Sequence, residues 1–90
     1  MKATTLHKKI TKFMEANGFD TESGWDGTSS FSLLLPGKLP FLIDIMFEDD
    51  DDEIEVSIDE IYPNSTDNLE REFFTTLEEV QEFISDYFNL

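Results

Sequence analysis

The sequence predicts an α+β fold. The expected form is a two-layer sandwich in which an N-terminal and a C-terminal helix cover one face of a three-stranded antiparallel meander. Apolar residues recur at helical spacing near both ends of the chain, and apolar and polar residues alternate in three runs between them. Short turn-forming segments join consecutive runs, which favours antiparallel neighbours. Ninety residues suit one domain with a modest core, and the 39% hydrophobic content with nine phenylalanines is too apolar for a disordered acidic chain.

Thr4 or Thr5 is expected to cap the first helix. Leu6, Ile10, Phe13 and Met14 follow the spacing of one buried face, and Asn17-Gly18 is a helix stop. Phe19 through Ser30 is polar and glycine-containing and reads as a loop or an irregular edge. Trp25, in its middle, either folds back over the core or serves as an exposed interface anchor. Phe31, Leu33 and Leu35 mark the first strand, and Pro36-Gly37-Lys38 turns the chain. Phe41, Ile43, Ile45 and Phe47 mark the second strand, and Ile54, Val56 and Ile58 the third. Tyr62-Pro63-Asn64-Ser65 ends the third strand, and residues 64–74 read as a polar connection with room for a helical turn.

Thr75 and Thr76 each stand three residues before a glutamate, the capping-box pattern, so either starts the last helix. Leu77, Val80, Ile84 and Tyr87 share its apolar face, with Phe83 and Phe88 beside it. The strand residues above form the one large apolar surface on which both helices can pack, which places both on one side of the sheet.

Charge dominates the rest. The chain carries 21 Asp and Glu against six Lys and Arg, a net charge of -15. Residues 1–17 hold four lysines against Glu15, whereas residues 18–90 hold Lys38 and Arg71 against the other twenty acids. Glu48, Asp49, Asp50, Asp51, Asp52 and Glu53 form an unbroken acidic turn between two apolar strands. One or two charges at a hairpin tip discourage edge pairing. Six in succession repel one another, and so much like charge on a small body costs folding free energy. A cationic partner accounts for its retention.

Other chemistry is poorly served. No cysteine is present, which excludes disulfides, thiolate nucleophiles and Cys-ligated zinc. The acidic run lacks the spaced ligands and glycine of a calcium loop, so no dedicated metal site and no cofactor are expected, only diffuse attraction for divalent cations. His7, the single histidine, stands among lysines on the first helix, where a surface position rather than a catalytic role is expected, so no enzyme activity is expected. Direct nucleic-acid binding is disfavoured, because phosphates require a basic face. No stretch reaches the length of a membrane span and the N-terminal residues lack a signal-peptide core, so the expectation is a cytoplasmic protein without membrane association.

The face of the meander away from the helices is expected to carry Ser32, Leu34, Leu42, Asp44, Met46, Glu55, Ser57, Asp59 and Ile61, apolar residues among acids, either open as a docking surface or covered by the Trp25 loop or the 64–74 connection. Glu78, Glu82 and Asp86 recur every four residues on the last helix, about 6 Å apart along its axis. With the acidic turn, Glu55 and Asp59, such a row offers a phosphate-like pattern to a nuclease or another nucleic-acid-binding protein. Trp25, Leu42 and Met46 are candidate apolar anchors. The chain resembles small acidic inhibitors of phages and mobile elements in size and charge. This likeness implies a DNA-mimic or immunity-type inhibitor that binds a basic protein. The helix–strands–helix order also resembles secretion-chaperone-like domains at the level of topology. That likeness implies an adaptor that binds a client segment, or a homodimer, through the open sheet face. Solvation of a halophile protein is a third source of such acidity. On the first reading, salt and mild acid should raise the melting temperature by relieving repulsion.

Overall fold

The computed structural model describes residues 3–25, 28–47 and 53–90. Among these residues the order of elements is helix, five strands, helix, and the strands form one antiparallel sheet in sequence order. The α+β class agrees with the sequence. The strand count does not: five strands stand where three were expected.

Helix α1 (Ala3–Ala16) begins before Thr4 and Thr5, so neither threonine caps it. Alanine is the best helix former and extends the first turn backwards. Ile10 and Met14 are fully buried, and Leu6 and Phe13 pack beside them. Gly18 ends the helix at φ +90°, a left-handed conformation that a Cβ would disfavour. The turn is closed by Phe19 N–H donating to Met14 O at 3.0 Å and Asn17 Nδ2 donating to Phe13 O at 2.8 Å.

Two strands lie outside the three expected ones: the first bears out the irregular-edge alternative, and the second replaces the expected connection over 64–74. The segment after Phe19 is an edge strand, β1 (Asp20–Trp25), paired with β2 (Thr28–Leu33). A bulge at Glu22 breaks its alternation, which hides the strand from a period-of-two reading. Strand β2 starts three residues earlier than expected and ends at Leu33, which leaves Leu34 71% exposed. Strands β3 (Phe41–Phe47) and β4 (Ile54–Tyr62) follow the expected pattern, with Phe41, Ile43, Ile45, Phe47, Ile54, Val56 and Ile58 buried.

The supposed connection over 64–74 is the longest strand, β5 (Ser65–Phe74). Tyr62 pairs with Ser65, so Pro63-Asn64 form a two-residue hairpin turn. Neither residue has positive φ, so this turn lacks the usual glycine signature; proline supplies the fixed φ instead. A bulge at Leu69 shifts the register between the Ile58–Glu70 and Asp59–Asn68 pairs, and Leu69 packs against the core.

Helix α2 (Leu77–Phe88) is capped by Thr76, whose Oγ1 accepts from Glu79 N–H at 3.2 Å. Thr75 and Thr76 hydroxyls donate to Glu79 Oε1 at 2.9 and 3.0 Å. These donors hold the Glu79 carboxyl below the ordinary range. Val80 and Ile84 are fully buried, whereas Tyr87, expected on their face, is exposed, and Phe88, expected beside that face, packs edge-to-face with Phe19 and Phe41. Helix α1 contacts β1–β3 and α2 contacts β4 and β5, so both helices lie side by side on one face of the sheet. No helix among the described residues is long and apolar enough to cross a membrane.

Candidate interaction surface on the open sheet face

Antiparallel pairing puts opposed residues on the same side of the sheet. Three rows therefore cross the face away from the helices. Thr28, Met46, Glu55 and Phe73 form the first; Ser30, Asp44, Ser57 and Arg71 the second; Ser32, Leu42, Asp59 and Asn68 the third. Because β1 and β5 lie in the plane of the sheet, neither covers this face, and no described element does so. Met46 is 37% and Phe73 52% exposed.

The carboxylates here are oriented from neighbouring strands. Asp44 Oδ1 accepts from Ser30 Oγ at 2.5 Å, Asp59 Oδ1 accepts from Asn68 Nδ2 at 2.8 Å, and Glu22, the β1 bulge residue, accepts from Ser32 Oγ. Glu55 Oε1 accepts from Arg71 Nη2 at 3.0 Å, and the Arg71 guanidinium lies 5.8 Å from the centroid of the Phe73 ring. Both partners of this ion pair reach solvent, so its contribution to stability is small. A serine or asparagine donor fixes an anion without cancelling its charge. Asp44, Asp59 and Glu22 thus remain a net negative field on a rigid scaffold, interleaved with Leu42, Met46 and Phe73.

The expected site residues divide between two sides of the molecule. Leu42, Met46, Glu55 and Asp59 share the open face. Glu78, Glu82 and Asp86 are exposed on α2, which packs on the opposite side of the sheet. One flat partner surface therefore cannot engage both sets. Glu48, Asp49, Asp50, Asp51 and Asp52 lie outside the described residues; Glu53 is exposed at the start of the ladder. The Trp25 backbone ends β1 in register with Thr28, and its side chain lies outside the description. Asp44 was legible as a face residue but not as a member of the site. Glu22, Asn68, Arg71 and Phe73 were missed because the bulged edge strands β1 and β5 lack a sustained period of two.

Among the described residues no group of His, Cys, Asp and Glu is arranged to hold a metal ion. His7, expected at the surface, is instead partly buried against β2 and β3. Its Nδ1 makes a short hydrogen bond with Ser29 Oγ, its ring stands edge-on to Phe47 at 4.7 Å, and its Nε2 is buried without a partner. Burial lowers its pKa below the ordinary 6.5. Ser29 is only 2% exposed, and its hydroxyl is taken up by His7.

The chain matches no protein-family model, no curated protein and no solved structure.

Proposed function

We propose that this is a non-enzymatic binding protein whose open sheet face docks on a cationic surface of another protein. The observation that carries this reading is the set of hydrogen-bonded carboxylates around exposed Met46 and Phe73 on an uncovered face. The net charge of -15 steers encounter with a basic partner, and the apolar residues hold the encountered complex. Lys and Arg side chains of a nuclease or nucleic-acid-binding protein suit this surface. Asp44 has Glu55 and Asp59 as diagonal neighbours, about 7–8 Å away. This fixed spacing of anions supports a DNA-mimic mode carried by the sheet rather than by the α2 row.

The alternative of a homodimer through the same face brings two equally acidic surfaces together, so charge favours a different, basic partner. Light scattering on the native chain and on Met46→Glu distinguishes the two: a dimer dispersed by the substitution would support self-association. The main reading is tested by anisotropy competition, in which the protein displaces duplex DNA from basic nucleases and DNA-binding proteins. Displacement that weakens steeply between 50 and 300 mM salt is expected. Competition that ignores salt, or is absent across the panel, would contradict it.

A further inference from the structure

The sheet has two edges, β1 and β5. Strand β1 spans six residues, is bulged and contains Gly24, so it is a short and irregular template. Strand β5 spans ten residues and, although it too is bulged, at Leu69, runs unbroken from Glu70 to Phe74; β4 pairs with one side of it, and no described strand pairs with the other. Helix α2 touches β5 only from the helix side of the sheet. An exposed edge of this length leaves alternate backbone N–H and C=O groups unpaired and open to strand addition.

What guards β5 is charge of nearly one sign. It carries Asp67, Glu70 and Glu72 against Arg71, and Arg71 is already joined to Glu55. Glu70 and Glu72 are in register with Ile58 and Val56, which puts them on the helix side at the outer rim of the sheet. The neighbouring ring of Tyr87 is half-exposed, and its hydroxyl is held above the ordinary pKa by burial first and then by Glu70 and Glu60. A second copy of β5 would set acids against acids, and a neutral strand would desolvate these carboxylates without compensation. A strand with cationic side chains on the helix side meets neither penalty. Its alternate residues would fall on the open-face side, beside half-exposed Phe73.

We propose that the free edge of β5 takes up an extended segment of the partner as a sixth strand, with Lys or Arg over Glu70 and Glu72 and apolar residues beside Phe73. This rests on the reading of a cationic partner and adds a second surface to it. The test uses the full chain, isotope-labelled for NMR, and a capped octapeptide of alternating lysine and valine. Two control peptides carry methyl groups on alternate backbone nitrogens, one in each phase. An added strand donates through only one phase, so one control should bind at least about tenfold more weakly than the other. Shift changes and new exchange protection should fall on residues 65–74. Glu70→Lys with Glu72→Lys should weaken binding at least comparably while circular dichroism and melting show an intact fold.

Equal binding of all three peptides would overturn the proposal, as would the absence of binding at millimolar peptide. Shifts confined to Leu42, Asp44 and Met46 would also overturn it and leave the open-face reading standing.

Discussion

Asp44→Asn separates what an open-face carboxylate does for folding from what it does for binding. Asp44 is in register with Ser57, so Glu55 and Asp59 flank it diagonally on β4. At about 7–8 Å, two unit charges repel by about 0.5 kcal/mol in a water-like dielectric. Screening at physiological salt reduces this to about 0.2 kcal/mol. Arg71 offsets Glu55, so Asp59 supplies most of the repulsion. Asparagine keeps an oxygen that accepts the Ser30 hydroxyl, so little is lost in exchange. The variant should therefore be about 0.5 kcal/mol more stable at low salt, raising Tm by about 2–4 °C. The same substitution should weaken binding to a basic partner about fivefold, close to 1 kcal/mol. Calorimetric melting at 10 and 150 mM salt and the DNA-competition assay read the two effects. A loss of stability above about 1 kcal/mol would make Asp44 a structural residue and refute the reasoning. Unchanged affinity would remove it from the docking surface.

Other outcomes follow from single contacts. Burial lowers the His7 pKa in the folded chain below 6.5, so the unfolded chain takes up the proton first as pH falls. Stability contributed by neutral His7 should be fully present above that value and lost as pH drops through it; urea denaturation between pH 7.5 and 5.5 should show this slope, and His7→Gln should flatten it. This opposes the relief of carboxylate repulsion in mild acid, so the repulsion is best tested with salt: at pH 7.5, Tm should rise as sodium chloride is added, and a fall would mean the acids are already well paired. Thr76→Ala removes the α2 cap and should cost about 1 kcal/mol in urea denaturation. Ile43→Ala, at a fully buried centre of the sheet, should cost about 2–5 kcal/mol, and a cost below 1 would place Ile43 outside the core.

The elements legible in the sequence are those whose burial is one-sided and regular. Strands β3 and β4 lie in the middle of the sheet, one face under the helices and one to solvent, so their alternation is clean. The helices likewise announce themselves through Ile10, Met14, Val80 and Ile84. The edge strands do not. Helix α2 covers only part of β5, which therefore carries Glu70 and Glu72 at positions that would be apolar in a central strand. The Leu69 bulge then sets the core-packed Leu69 and Phe74 at an odd separation, which breaks the period of two. Pro63-Asn64 turns without a glycine, so the hairpin carries no familiar signature. Thr21 pairs with Phe31 in β1, but the bulge at Glu22 spoils the pattern around it.

Missing both edges had a direct effect on the site. The open face was expected to be narrow, and Asn68, Arg71 and Glu22, which orient or offset its carboxylates, stayed out of view. The α2 row was legible as a row, since helical periodicity fixes it. Its separation from Glu55 and Asp59 was legible too: both helices need the apolar face of the sheet, and those two acids alternate onto the other, so the row and the open face do not form one surface.

The central claim is that position, not total charge, makes this acidic protein a ligand for a basic one. Two triple variants isolate it: Asp44→Asn, Glu55→Gln and Asp59→Asn on the open face, and Glu78→Gln, Glu82→Gln and Asp86→Asn on α2. Each removes three negative charges, so long-range steering changes equally. Measured against the same basic partner at 150 mM salt, the open-face variant should lose at least about tenfold more affinity than the helix variant. Equal losses, or a larger loss from the helix, would contradict the claim.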